Sequence, residues 1–183
     1  TEDYKDHWEK VYKTKTPNVV SWTQLHQKPK LINQTFNLPK TCSIIDVGGG
    51  DSLLVDFLLE DGFQNITVLD ISNEAISKAK KRLGEKANKV SWIVSNITEF
   101  KPEKTYDIWH DRATFHFLNK DDQIKKYVNL VNESVNKNFV IGTFSIDGPL
   151  KCSGMEIVQY TEIKMVDLFS NHFKKLNSFK EDT

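Results

Sequence analysis

The chain has little of what would tie it to an oxidising compartment, a membrane or a polyanion. Its 183 residues include only two cysteines, Cys42 and Cys152, without metal-ligand spacing, so neither a disulfide framework nor a structural zinc site is expected. A reduced, cytoplasmic protein with no bound metal is the inference. No long apolar run and no signal-peptide pattern occur, which argues against a membrane partner. Neither charge sign is in excess, with 25 basic and 25 acidic residues, so no dedicated nucleic-acid or anionic-membrane surface is expected. Prolines number five, and no internal repeat or low-complexity segment is present. The length suits one domain, 1–183, with a full core.

Glycine is sparse too, yet three of the eight stand together at Gly48, Gly49 and Gly50. Before them runs Ser43-Ile44-Ile45-Asp46-Val47, a short β-branched run suited to a strand buried on both faces. After them come Asp51 and Ser52, good helix N-cap residues, ahead of the apolar LLVDFLL. A strand, a glycine turn and a helix start bring backbone N–H groups close to a ligand. Asp70 closes a second apolar run, Ile66-Thr67-Val68-Leu69, and an acid there is placed to hold two ribose hydroxyls. The dinucleotide pattern G-x-G-x-x-G begins at Gly48 and Gly50 but would put its third glycine on Leu53.

The arrangement D-x-G-x-G at Asp46, Gly48 and Gly50, followed by Asp70, resembles class I S-adenosylmethionine-dependent methyltransferases. The resemblance implies that Asp46 faces the methionine amino end, that Gly48, Gly49 and Gly50 let the cofactor lie on the backbone, and that Asp70 and Ile71 meet the ribose. Ser52 stands where many members carry a third glycine. Asn96 and Ile97, beyond the strand Val90–Val94, occupy the adenine-facing position. The family's usual acid is replaced there by Asn96, a neutral acceptor.

Around that centre, strands alternate with helices, which implies a doubly wound, mostly parallel sheet in a three-layer α/β/α, Rossmann-like domain. The expected strands are 43–47, 66–70, 90–94, 106–110 and 139–144, with a sixth over 173–179. The closing antiparallel strand of the resembled fold is not legible, so its C-terminal strand pair is incomplete in this reading. Helices are expected from Ser52 to Glu60, from Ser72 to Gly84, after Asn119 with a stripe of Ile124, Val128, Val131 and Val135, and over 161–171. The lysines near Arg82 oppose the dipole of their helix. At the N-terminus, Tyr4, Trp8, Val11 and Tyr12 share a helical face, Val19–Trp22 is extended, and Pro29 opens a second helix. These aromatics either pack on the sheet or, as the resemblance implies, form a lid over residues 1–38. Trp8, Tyr12 and Trp22 would then touch cofactor or substrate.

The crevice of such a sheet lies beyond the carboxyl ends of its first and fourth strands. There the chain reads His110-Asp111-Arg112-Ala113-Thr114-Phe115-His116-Phe117, a density of titratable groups that a core strand does not need. His110 and His116 are candidate bases, Asp111 a base or a holder of a cationic amine, and Arg112 a clamp for an acidic substrate. Asp111 and Arg112 pairing with each other, and His116 packing, are the structural alternatives. The segment WHDRATFHFL, with HWEKVY and DGPLKCSG, is similar to a bacterial-type branch of small class I methyltransferases of undefined substrate. It also looks like the matching segment of protein-lysine methyltransferases acting on translation elongation factor. The expectation is methyl transfer from S-adenosyl-L-methionine to N, S or O of a small molecule by a monomer or weak dimer. Protein-lysine methylation is the runner-up and a non-catalytic nucleotide-binding module the third reading.

Overall fold

The computed structural model describes residues 4–14, 38–112, 114–144 and 146–175. Its centre is a five-stranded parallel sheet of order β3-β2-β1-β4-β5. The strands are β1 (Ser43–Val47), β2 (Asn65–Asp70), β3 (Val90–Val94), β4 (Tyr106–Asp111) and β5 (Val135–Ile141). Helices α1 (Tyr4–Thr14), α2 (Leu54–Glu60), α3 (Asn73–Leu83), α4 (Asp121–Ser134) and α5 (Glu162–Phe169) complete the main elements. No helix among the described residues is long and apolar enough to cross a membrane.

Alternation along the strands sorts the core into two layers. Ile44, Ile66, Val68 and Ile108 pack with Leu54, Val55 and Leu58 of α2 and Leu83 of α3 on one face. Ile45, Val47, Leu69 and Trp109 pack with Tyr127 and Val131 of α4 and Phe169 of α5 on the other. Each fully buried aliphatic side chain in these layers contributes about 1.5–3 kcal/mol. A third, smaller cluster of Trp8, Ala75, Phe117, Cys152 and Ile157 stands apart from both. The chain winds outward from β1 to β3 on one side and from β4 to β5 on the other, so the switch point falls between β1 and β4. Their register sets Asp46 beside His110 and Val47 beside Asp111.

Short-range signals land where the sequence puts them. Ser72 Oγ accepts from Ala75 N–H at 3.1 Å and starts α3, and Gly84, at φ 59°, stops it. Several boundaries differ. The helix expected from Ser52 begins at Leu54, because Ser52 Oγ accepts from Leu54 N–H and holds an extra turn. Helix α4 has its N-cap at Lys120 rather than Asn119, with no side-chain cap bond, and its buried line runs through Tyr127, Val131 and Ser134, with Ile124 and Val128 only half-buried. Val135, expected on that line, is already the first residue of β5. The loop at Cys152-Ser153-Gly154 is a tight hairpin joining β6 (Lys151–Cys152) to β7 (Met155–Glu156). Both of its turn residues have positive φ, 48° and 80°, as a mirror-image two-residue turn requires. The start of the expected sixth strand, Phe173 to Lys175, is irregular, with Phe173 packed on Phe139. Its remainder, the helix at Pro29 and Trp22 lie outside the described residues.

Candidate active site

Two backbone bonds fold the glycine turn onto the end of β2: Gly48 and Gly49 N–H both donate to Leu69 C=O, at 2.7 and 3.2 Å. Gly48 has φ 71°, in the left-handed region that favours glycine. Gly50 is required by space, since a Cβ there would stand 2.8 Å from Asp70 Oδ2 and 2.7 Å from the Ala75 methyl. On Gly49 it would meet Asp46 Oδ2 at 2.4 Å. The turn is a bare backbone surface walled by two carboxylates.

Asp70, the last residue of β2, accepts from Gly50 N–H through Oδ2 and from Ser72 N–H through Oδ1, each at 2.9 Å. Burial pushes its pKa up to about 6; the two N–H donors oppose that rise, and the nearby charges of Asp46 and Asp51 add to it. Each oxygen keeps a second lone pair for a hydroxyl donor. Asp46 is buried, with Oδ1 3.0 Å from His110 Nδ1, while its Oδ2 has no hydrogen-bond partner among the described residues. Three acids thus converge on the glycine turn, and one buried oxygen lacks a donor. A cationic sulfonium and ammonium suit that field, whereas a pyrophosphate would be repelled. The residues therefore fit S-adenosylmethionine.

At the adenine-facing position the structure changes the expectation. Asn96 Oδ1 accepts from both Thr98 N–H (3.0 Å) and Thr98 Oγ1 (2.9 Å), closing a local turn. Both lone pairs are then in use, so Asn96 has its NH₂ donors to offer rather than the expected acceptor. Ile97 packs its side chain in the layer with Val47 and Phe115, and its C=O accepts from Phe100 N–H at 3.4 Å. Ile71 is half-buried against the third cluster.

Beyond β4, the expected catalytic residues take different tasks. Asp111 is the last residue of the strand, with no exposed surface. Its Oδ1 accepts from Thr114 N–H at 2.8 Å, and its Oδ2 accepts from Phe115 N–H at 3.1 Å and from Tyr127 O–H at 2.5 Å. Burial raises its pKa to about 6, against the pull of Tyr127, Thr114, His110 and Phe115. This carboxylate is the tie that shapes the turn, a role at odds with a free base or amine holder. Tyr127, which the sequence reading missed, also receives Trp109 Nε1–H at 3.1 Å. Arg112 is half-buried, and its backbone lies against Gly142. His116 is buried in the short helical turn Phe115–Phe117, stacked on Phe144. Thr114, also missed, stands so close that its Oγ1 would be 2.1 Å from a Gly48 Cβ.

The N-terminal helix closes against the same end of the sheet. Trp8 sits edge-on to Phe117, with ring centroids 5.0 Å apart. Glu9 accepts from the first N–H groups of α3, Asn73 at 2.5 Å and Glu74 at 3.2 Å, one turn of chain past Asp70. His7 Nε2 lies 2.9 Å from Ser153 C=O at the hairpin. Tyr12 is on α1, but its side chain is outside the described part.

The parallel sheet, its switch point and the bare glycine turn make a Rossmann-like α/β domain, and the comparisons with known proteins place it among class I S-adenosylmethionine-dependent methyltransferases. The chain belongs to the methyltransferase-domain family, whose profile matches residues 44–137. Malonyl-[acyl-carrier protein] O-methyltransferase 1 of Ilyobacter polytropus is 32% identical over 118 residues, covering 63% of this chain and 42% of that protein. The chain thus spans under half the length of that relative. EEF1A lysine methyltransferase 2 of Mus musculus is 24% identical over 188 residues, covering 93% of this chain and 71% of that protein. Among solved structures, a Burkholderia thailandensis 1,6-didemethyltoxoflavin-N1-methyltransferase with bound S-adenosylhomocysteine superposes at a TM-score of 0.62. Its identity is 20%, over 79% of this chain and 64% of that one.

Proposed function

We propose that this protein transfers a methyl group from S-adenosylmethionine to an N, S or O nucleophile of a small-molecule acceptor. The observation that carries the reading is the convergence of Asp46, Asp51 and Asp70 on the glycine turn, with Asp46 Oδ2 lacking a donor. When bound, the cofactor supplies a methyl carbon already activated by a sulfonium. The chain's part is then to hold, align and exclude water. Asp70 holds the ribose hydroxyls, Asp46 the amino end, and His110 fixes the Asp46 carboxylate through Oδ1. Trp8 of α1, packed on Phe117, closes the site from the N-terminal segment, and the protein works as a monomer or weak dimer.

Calorimetric titration with S-adenosylmethionine and with NAD tests the cofactor: micromolar binding of the first and much weaker binding of the second are expected. Comparable affinities would end the reading. A methyl-donor turnover screen against thiols, amines, phenols and carboxylates then tests the acceptor. A protein-lysine acceptor is the second reading, supported by the extent of the elongation-factor methyltransferase match. An ammonium acceptor needs an available carboxylate or an open groove. Asp111 is wholly buried and tied by three donors of the fold, and Trp8 packs closed, which favours the small molecule.

A further inference from the structure

His116 is the one histidine of the post-β4 segment that no protein group explains. It is 2% exposed, and neither Nδ1 nor Nε2 has a hydrogen-bond partner among the described residues. A buried imidazole without a partner forfeits its hydration with nothing gained in return. Such exceptions are rare enough in folded proteins to need a reason. Packing is not that reason, because Phe would fill the space without polar atoms to satisfy.

The ring is held rather than loose. It stacks on Phe144 with the planes 8° apart and meets the Phe117 ring at 4.3 Å. Its backbone is pinned as well, since Val158 N–H donates to His116 C=O at 2.8 Å. The turn that carries it closes on the cofactor surface: Thr114 abuts Gly48, and Phe117 packs with Ala75, the residue that abuts Gly50. Segments after β4 and β5 thus fix an unsatisfied imidazole at the carboxyl ends of the strands, where such sheets bind ligands.

We propose that His116 recognises the methyl acceptor by a hydrogen bond, and that the acceptor is a small aromatic molecule bearing an uncharged hydrogen-bonding group. This rests on the methyltransferase reading and narrows its substrate. The rings beside the imidazole are Phe144 and Phe117, and Trp8 stands edge-on to Phe117, an aromatic surround that suits a flat apolar body. Burial pushes the His116 pKa down to about 4, so the ring is neutral at physiological pH and too weak a base to deprotonate an alcohol. It can still donate from one nitrogen and accept at the other. A neutral imidazole in apolar surroundings does not compensate an ammonium, so an alkylamine cation is disfavoured there.

The test uses the full chain saturated with S-adenosylhomocysteine, with phenol as probe and n-butylammonium as the cationic control. Failure of S-adenosylhomocysteine to bind would sink the methyltransferase reading and is seen separately. Given that binding, phenol should shift the His116 ring signals in the NMR spectrum, and n-butylammonium should not. His116→Phe should keep cofactor affinity and an equal or higher melting temperature, yet bind phenol at least tenfold more weakly. His116→Gln, which keeps a donor and an acceptor, should stay within a few-fold of wild type. The proposal is overturned if phenol leaves the His116 signals unmoved, as it would were a buried water the sole partner. Equal phenol binding by wild type and both variants, or a lowered melting temperature for His116→Phe, overturns it too.

Discussion

Asp70 and Asp111 end the two strands that flank β1, and by most measures they are the same residue twice. Each is buried, each accepts from two backbone N–H groups, and each has a pKa raised to about 6 by burial. They differ in who completes the shell. Asp70 has one donor per oxygen, both from the backbone that shapes the ligand surface. Asp111 has a third donor, the Tyr127 hydroxyl delivered by α4 from the protein interior. One carboxylate is held by the backbone of the glycine turn, and the other is tied into the core by a helix. An acid at the end of an apolar strand is therefore an ambiguous sign until its long-range partners are known.

The sharpest way to break this comparison is to remove each carboxylate and measure cofactor affinity. Asp70→Ala should lose two charge-assisted bonds, each worth roughly 1.5–3 kcal/mol, so calorimetry should read at least a hundredfold weaker S-adenosylhomocysteine binding. Asp111→Ala should leave that affinity within about threefold. Equal losses in the two variants would erase the distinction.

Stability should show the reverse ranking. Asp111→Ala leaves Thr114 N–H, Phe115 N–H and Tyr127 O–H without their acceptor. Offset in part by the relief of a buried charge, this should cost roughly 2–4 kcal/mol in a denaturant melt. Asp70→Ala strands fewer donors at the ligand surface, where water can replace the carboxylate, and should cost less.

Varying pH separates the two roles of Asp70 itself. A carboxyl raised to about 6 favours folding in its neutral form; that contribution is full below about pH 4 and is lost as pH rises through 6. Wild type should therefore gain stability relative to Asp70→Asn as pH falls from 7 to 5. Cofactor affinity should move oppositely, because ribose hydroxyls donate to the ionised carboxylate. It should weaken up to about tenfold per pH unit below 6. Affinity that holds constant from pH 7 to 5 would show that Asp70 does not hold the ligand as an anion.

The smallest change probes the third donor alone. Tyr127→Phe deletes the hydroxyl that links Trp109 to Asp111, and should cost about 1 kcal/mol of stability with no change in cofactor affinity. A variant as stable as wild type would mean that the tie is incidental.

What was legible in the sequence was local. The β1 run, the glycine turn, Asp70, the Ser72 cap and the Gly84 stop each depend on neighbours within a few residues, and each stands where expected. What was not legible depends on distant partners. Asp111 looked like a reactive group because Tyr127 is sixteen residues away on a helix whose apolar residues fit two neighbouring stripes. Asn96 looked free because Thr98, two residues on, is an ordinary turn residue with no sign that it claims both lone pairs. His116 is the opposite case. Its type suggested a general base, and its burial among aromatics makes it a neutral ring.

Glu9 has a consequence for how this molecule can be observed. Its carboxylate covers the amide hydrogens of Asn73 and Glu74, which begin α3 and which that helix cannot satisfy itself. Those two amides exchange with solvent deuterium only while α1 stands away from α3. Their exchange rate is a clock for the undocking of α1, readable without cofactor, acceptor or turnover.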